Sequence, residues 1–185
     1  ICHDLISPIG AINNGLELLQ MAGTGAAPGP ELALIGQSVE SASARIRFFR
    51  IAFGAAGDQT MGQNEVTSIL RDLYAASRVE IDWQVTSPQS RNGVRMAFLA
   101  LLCIETALHH GGRITIGEEA GRWSLKAEAD KIAIDPELWA LLTQTGADRR
   151  LQPAQVQFAL LPILAEAQGR EITLDSGETA LTLSF

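Results

Sequence analysis

Two stretches near the N-terminus constrain this chain more than anything else in it. Cys2, Leu5, Ile9, Ile12, Leu16 and Leu19 recur at steps of three and four, and so do Leu32, Ile35, Val39, Ala42, Ile46, Phe49 and Phe53. That spacing is the seam of a coiled coil. Between the two lies a Gly/Ala/Pro connection, Met21 to Gly29, and Pro30 then stands where a helix tolerates proline, in its first turn. Gly54 is placed to end the second helix. Two such helices on a short loop fold back into an antiparallel hairpin over residues 1–54. Phe48 and Ile51 add apolar surface beside the seam, and a lone hairpin cannot cover it. Two hairpins from two chains can, as a four-helix bundle, so the expectation is a homodimer.

The first helix carries chemistry at its start. His3 and Asp4 are adjacent, and Pro8 follows five residues after the histidine. His3 stands one position off the seam, on a stripe of Ser7, Gly10, Asn14 and Glu17, small or polar throughout. An imidazole on such a stripe faces a surface that a second protein can approach. Pro8 has no N–H for the carbonyl of Asp4, so a local distortion is expected one turn beyond His3.

The rest of the chain changes period. Residues 54–63 read as a linker. From Asn64 a short helix carries Val66, Ile69, Leu70, Leu73 and Tyr74, and Val79, Ile81, Trp83 and Val85 alternate as a strand. A longer helix carries Val94, Phe98, Leu101, Leu102 and Ile104, and strands over 113–116 and 123–127 flank a Gly-containing turn. Asp135-Pro136 and Gln152-Pro153 each start a helix, and two strands close the chain. Residues 64–185 therefore read as a second domain, a mixed sheet with helices packed on it, and the whole as α+β.

Composition excludes several classes. A net charge of -7 argues against a nucleic-acid binder. Arg45, Arg47 and Arg50 are nonetheless clustered. Cys2 and Cys103 form neither a disulfide framework nor a metal-ligand spacing, which fits a reducing cytoplasm. No apolar run is long enough to span a membrane. His109 and His110 have no third ligand at hand and read as a helix-end pair. The chain opens on Ile1, so it reads as a piece of a slightly longer product whose upstream residues complete the turn carrying His3.

The box His3-Asp4-Leu5-x-x-Pro8 resembles the phospho-accepting box of two-component histidine kinases. The order of elements after residue 64, ending in Ala165-Glu166-Ala167-Gln168-Gly169-Arg170-Glu171-Ile172 and a hairpin, is similar to their ATP-binding domain of Bergerat type. Three nucleotide-binding elements of that family are missing. Thr106-Ala107-Leu108-His109 stands where Asn-Ala-x-Lys is required. Ile132 to Glu137 has none of the glycines of an Asp-x-Gly-x-Gly loop, and Leu151 to Gln155 has none of the second Gly-rich turn.

The run from His3 to Ile12, then Asn14-Gly15-Leu16-Glu17-Leu18-Leu19, and the Arg45 to Arg50 segment resemble the ChpT-type phosphotransferases of alphaproteobacteria. That resemblance implies a histidine phosphotransferase with a degenerate kinase-like domain. It implies His3 as phosphoryl acceptor and Asp4 as the group that orients it. Ile6, Ser7, Gly10 and Asn14 would form the floor for a docked receiver domain, with Arg45 and Phe48 as contacts from the second helix. Phe49, on the seam, is expected in the bundle core. The implied partners are the receiver of a hybrid kinase (CckA-like) and response regulators of the CtrA and CpdR type. The receiver would bring its own Mg²⁺, and no ATP, intrinsic cofactor or metal is implied. The competing readings are an ATP-dependent kinase with divergent boxes and a scaffold that binds receivers without exchanging phosphate.

Overall fold

The computed structural model describes residues 2–22, 29–55, 57–144 and 150–185, with the backbone alone for 2–7, 20, 22 and 30. Helix α1 spans Cys2–Ala22 and runs unbroken through Pro8, and α2 spans Pro30–Ala52. The two pack against each other. Leu16 and Val39 are the seam residues that this packing buries, and Asn13 shares a cavity with Glu40 and Ser43. That pairing fixes the register of the two helices. Counted back at equal rise, it sets His3 level with residues at about 50–53 of α2.

Helix α2 has a second apolar face. Ala44, Phe48, Ile51 and Ala52 are all buried, and the last three join one core with the second domain. The partners are α3, Gln63–Tyr74, and α4, Arg91–Glu105. Phe48 stacks on Phe98 of α4 with ring centroids 4.4 Å apart and planes 8° from parallel. Phe48 is therefore not a partner contact, and Phe48 and Ile51 leave no apolar surface for a second hairpin to cover. Phe49, one position on, is half-buried and sits edge-on to Phe48 and tilted against Phe53.

The end of α2 is held by α4. Arg95 Nε donates to the Ala52 carbonyl at 3.3 Å and Arg91 Nη2 to the Arg50 carbonyl at 3.4 Å. The last carbonyls of a helix have no partner within it and carry partial negative charge, so two guanidinium groups satisfy them well. Helix α2 ends one residue before the position that the sequence suggested, with Phe53 as cap. Gly54 matters through close approach, since a Cβ there would stand 2.1 Å from the Arg50 carbonyl oxygen.

Residues 54–63 are not a free linker. Strand β1, Thr60–Met61, pairs antiparallel with β3, Gln89–Ser90, and Met61 is buried. The main sheet has five strands. They are β2 (Val79–Trp83), β4 (Gly112–Glu119), β5 (Arg122–Glu128), β6 (Thr173–Ser176) and β7 (Ala180–Ser184), in the order β2-β4-β5-β7-β6. Among the described residues β2 with β4 is the parallel pair, with Ile81 opposite Ile114, and α4 supplies the crossover that a parallel pair requires.

Helix α4 is apolar around most of its circumference between Val94 and Ile104, as a helix packed on several sides must be. Ten of its residues, Gly93, Val94, Met96 to Leu101, Cys103 and Ile104, are buried. The Ser90 hydroxyl caps its start by accepting from the Gly93 N–H at 3.1 Å. It packs against β5, α2 and α6, Gln157–Ala167, which buries Phe158, Leu161 and Ala165. Helix α5, Pro136–Ala140, starts where Asp135-Pro136 suggested, with the Asp135 carboxylate accepting from two backbone N–H groups at 3.1 Å.

Candidate functional site

The site is built on α1. Six of the eight sequence-predicted site residues lie on one helix because the seam spacing makes this stretch helical from Cys2 onward. His3, Asp4, Ile6 and Ser7 have helical backbone, and their side chains lie outside the described residues. Gly10 and Asn14 are exposed on the same helix. Steps of seven and four residues separate them from His3 and from each other, so the three positions share one side of α1. Gly10 has open space around it, and a backbone this bare permits close approach by a partner helix. Neighbouring Asn13 turns inward and donates to Glu17 at 3.4 Å.

The arginine cluster of α2 is not one patch. Successive positions two and three apart point to different sides of a helix. Arg47 faces α3 and pairs with Asp72 at 2.8 Å. Both side chains are more than a third exposed, so the pair adds little stability, about 0–1 kcal/mol. Arg50 is exposed and lines a cleft of about 260 Å³ with Arg47, Arg91, Glu65 and Ser68. By the register above, that cleft stands near the level of His3. Arg45 is also exposed, and it turns toward Tyr74 of α3 and Glu105 of α4. The structure therefore brings His3, Gly10 and Asn14 together along one helix, buries Phe48, and leaves Arg45 exposed beside Tyr74 and Glu105.

Sequence reasoning passed over Tyr74, Arg91, Arg95 and Glu105. Tyr74 and Glu105 close apolar stretches, and nothing in their spacing marks them as polar partners. The Glu105 carboxyl is raised above its ordinary value by burial, with the Tyr74 hydroxyl and then Arg45 pulling it back. Burial also raises the Tyr74 hydroxyl, and the charge of Glu105 raises it further. Cys103 is buried, and its thiol is raised by burial, which makes it inert. Among the described residues no group of His, Cys, Asp and Glu side chains is arranged to hold a metal ion, and no helix is long and apolar enough to cross a membrane.

Comparison with known proteins gives the family of the chain. The family described as "Histidine phosphotransferase C-terminal domain" matches residues 63–180, the unit built on the five-stranded sheet. The chain is 32% identical over 183 residues to the "Protein phosphotransferase ChpT" of Brucella abortus strain 2308, covering 94% of this chain and 85% of that protein. It superposes on a solved "Bacterial Phosphotransferase" with a TM-score of 0.70 at 26% identity, covering 99% of this chain and 90% of that one. Such matches over nearly the whole length, joined to a helix that opens on His3-Asp4, place the chain in the ChpT-type histidine phosphotransferase family, whose members are protein phosphotransferases of two-component signalling.

Proposed function

We infer that this chain is the intermediate carrier of a phosphorelay, taking a phosphoryl group onto His3 from the receiver domain of a hybrid kinase and passing it to response-regulator receivers. The observation that carries this reading is the His3-Asp4-x-x-x-Pro8 box near the start of α1, in a chain of this family. Neutral imidazole is a good nucleophile near pH 7. The Nε2 lone pair of His3 attacks the phosphorus of an aspartyl phosphate in line, the P–O bond breaks, and the aspartate carboxylate leaves. Asp4 accepts the Nδ1 hydrogen and so keeps Nε2 unprotonated. The second transfer is the reverse step onto another receiver's aspartate. Such a transition state asks mainly for positioning and charge neutralisation. The docked receiver supplies Mg²⁺, and this chain is assigned neither ATP nor a metal of its own.

The docking floor is the exposed side of α1 carrying Ile6, Ser7, Gly10 and Asn14. The α1–α2 pair serves as a dimerisation hairpin. Ile12, Leu18, Leu19, Met21, Leu34 and Ile35 are exposed large apolar residues, and all but Ile12 lie toward the α1–α2 loop end of the pair. A second copy would cover them in a four-helix bundle. We take regulators of the CtrA and CpdR type, fed by a CckA-like kinase in the cytoplasm, as the partners, a reading supported by the resemblance of the sequence around His3. The Bergerat-like domain is assigned no nucleotide because its three boxes are replaced, and because Phe158 and Leu161 of α6 pack into the core beside α4.

The test is to mix the protein with an isolated hybrid-kinase receiver carrying labelled aspartyl phosphate. Label moving to this chain, acid-labile and absent from His3→Ala, is the expected result. Receiver binding with no label transferred would refute the reading and leave a scaffold.

A further inference from the structure

The junction between α2 and the sheet domain has contacts of unequal strength on three sides. Phe48 stacks on Phe98, Arg91 and Arg95 hold the terminal carbonyls of α2, and Arg47 pairs with Asp72. The fourth side is different. There a cavity of about 260 Å³ is lined by Ser41, Arg45 and Phe49 of α2, by Tyr74 at the end of α3 and Ser77 just beyond it, and by Leu102 and Glu105 of α4. Tyr74 Oη is buried in the junction and faces the Glu105 carboxyl without a hydrogen bond of normal geometry. The Arg45 guanidinium is close enough to act on both by charge, yet it makes no ion pair within 4.0 Å with Glu105.

A phenol, a carboxyl and a guanidinium thus converge from three helices without closing on one another. That side of the junction is a polar cleft and not an apolar contact, and polar groups that meet there imperfectly cost stability. A carboxylate half out of water is costlier still, and a neutral carboxyl less so. Two arrangements follow. With Glu105 ionised, the carboxylate accepts from Tyr74 Oη and draws Arg45 across the gap, tightening α2 onto α4. With Glu105 protonated, Arg45 has no partner there and returns to water, and that side of the junction loosens. The groups that face Glu105 are Arg45 from α2 and Tyr74 from α3, with the uncharged Ser41 and Ser77 at the rim.

We propose that Arg45, Tyr74 and Glu105 form a proton-sensitive latch that sets the angle between the α1–α2 pair, which carries His3, and the sheet domain. Under the proposed function, this latch governs whether a receiver seated on α1 also meets the sheet domain. The latch rests on that reading for its purpose but not for its existence.

The chain has a single tyrosine, so Tyr74 can be watched alone. The protein is labelled with ¹³Cζ-tyrosine and its one resonance followed from pH 4 to 9. In parallel, spin labels on Gln37→Cys of α2 and Glu119→Cys of β4, both exposed, report the angle. A Cys2→Ser background and dilution with unlabelled chains keep the distance within one chain. The expected result is one transition in the resonance and in the label distance at the same pH, both absent in the isosteric Glu105→Gln. Tyr74→Phe should keep a change in distance and move its midpoint. A flat resonance, a constant distance, or a transition that survives Glu105→Gln overturns the latch. None of these readouts involves phosphate or a receiver, so failure of the relay reading would show separately.

Discussion

Phe48→Ala separates two accounts of the second helix. If Phe48 were a receiver contact, removing it would leave folding almost untouched, within about 0.5 kcal/mol for a surface change. The structure puts it in the core, 0% exposed and stacked on a Phe98 that is also 0% exposed. Deleting a buried phenylalanine costs about 3–5 kcal/mol through lost transfer energy and the cavity left behind. The stacked pair accounts for about 0.5–1.5 kcal/mol of that. For a domain of this length each kcal/mol moves Tm by roughly 2–4 °C, so a drop of about 10 °C is expected. Urea unfolding should show the loss at fixed protein concentration, because the apparent stability of the proposed dimer would depend on it. A double-mutant cycle with Phe98→Ala should then return a coupling of about 0.5–3 kcal/mol. Near-wild-type unfolding combined with weakened receiver binding would refute the core placement.

Four further outcomes follow. Glu105→Gln bears on the pH dependence of folding: the carboxyl is raised in the native state, so stability should fall as pH rises from its ordinary value of 4.5 to the raised native value, then level off. The substitution should abolish that slope and stabilise the protein at neutral pH; a stability loss there would contradict the burial argument. Gly54→Ala puts a methyl against the Arg50 carbonyl and should cost about 1–3 kcal/mol in thermal unfolding. Arg95→Ala removes a donor from the Ala52 carbonyl and should cost about 1 kcal/mol, with faster proteolysis between α2 and β1. Leu34→Glu, at a side chain 65% exposed on the distal end of α2, should shift sedimentation toward monomer with little effect on monomer folding.

Much of the architecture is legible because its signals are local. Val79, Ile81 and Trp83 alternate, Asp135-Pro136 announces a helix start, and the seam spacing announces α1 and α2. What fails is what depends on contacts distant in sequence. Met61 is one apolar residue in a polar run, and only its pairing with Gln89 makes it core. Phe48 and Phe49 are neighbours on an amphipathic helix with two apolar faces, and which of them meets α4 depends on how α2 enters the second domain. The arginine cluster looks like a patch because sequence adjacency hides the hundred-degree step between residues. Glu105 follows the apolar run Leu101 to Ile104, so its burial shows only once α3 and α2 have closed around it. The phospho-accepting box, by contrast, is contiguous, and its chemistry is carried by residue type and spacing alone.

The central claim is that His3 carries phosphate between receivers. Its most direct test follows the complete relay in one tube, with a hybrid-kinase receiver bearing labelled aspartyl phosphate, this protein, and an unlabelled response-regulator receiver. Parallel tubes hold His3→Ala, and labelled ATP with no receiver. The account predicts label crossing to the second receiver only when His3 is present, with a transient acid-labile intermediate on this chain and none from ATP alone. Label arriving from ATP, or reaching the second receiver undiminished through His3→Ala, would contradict it.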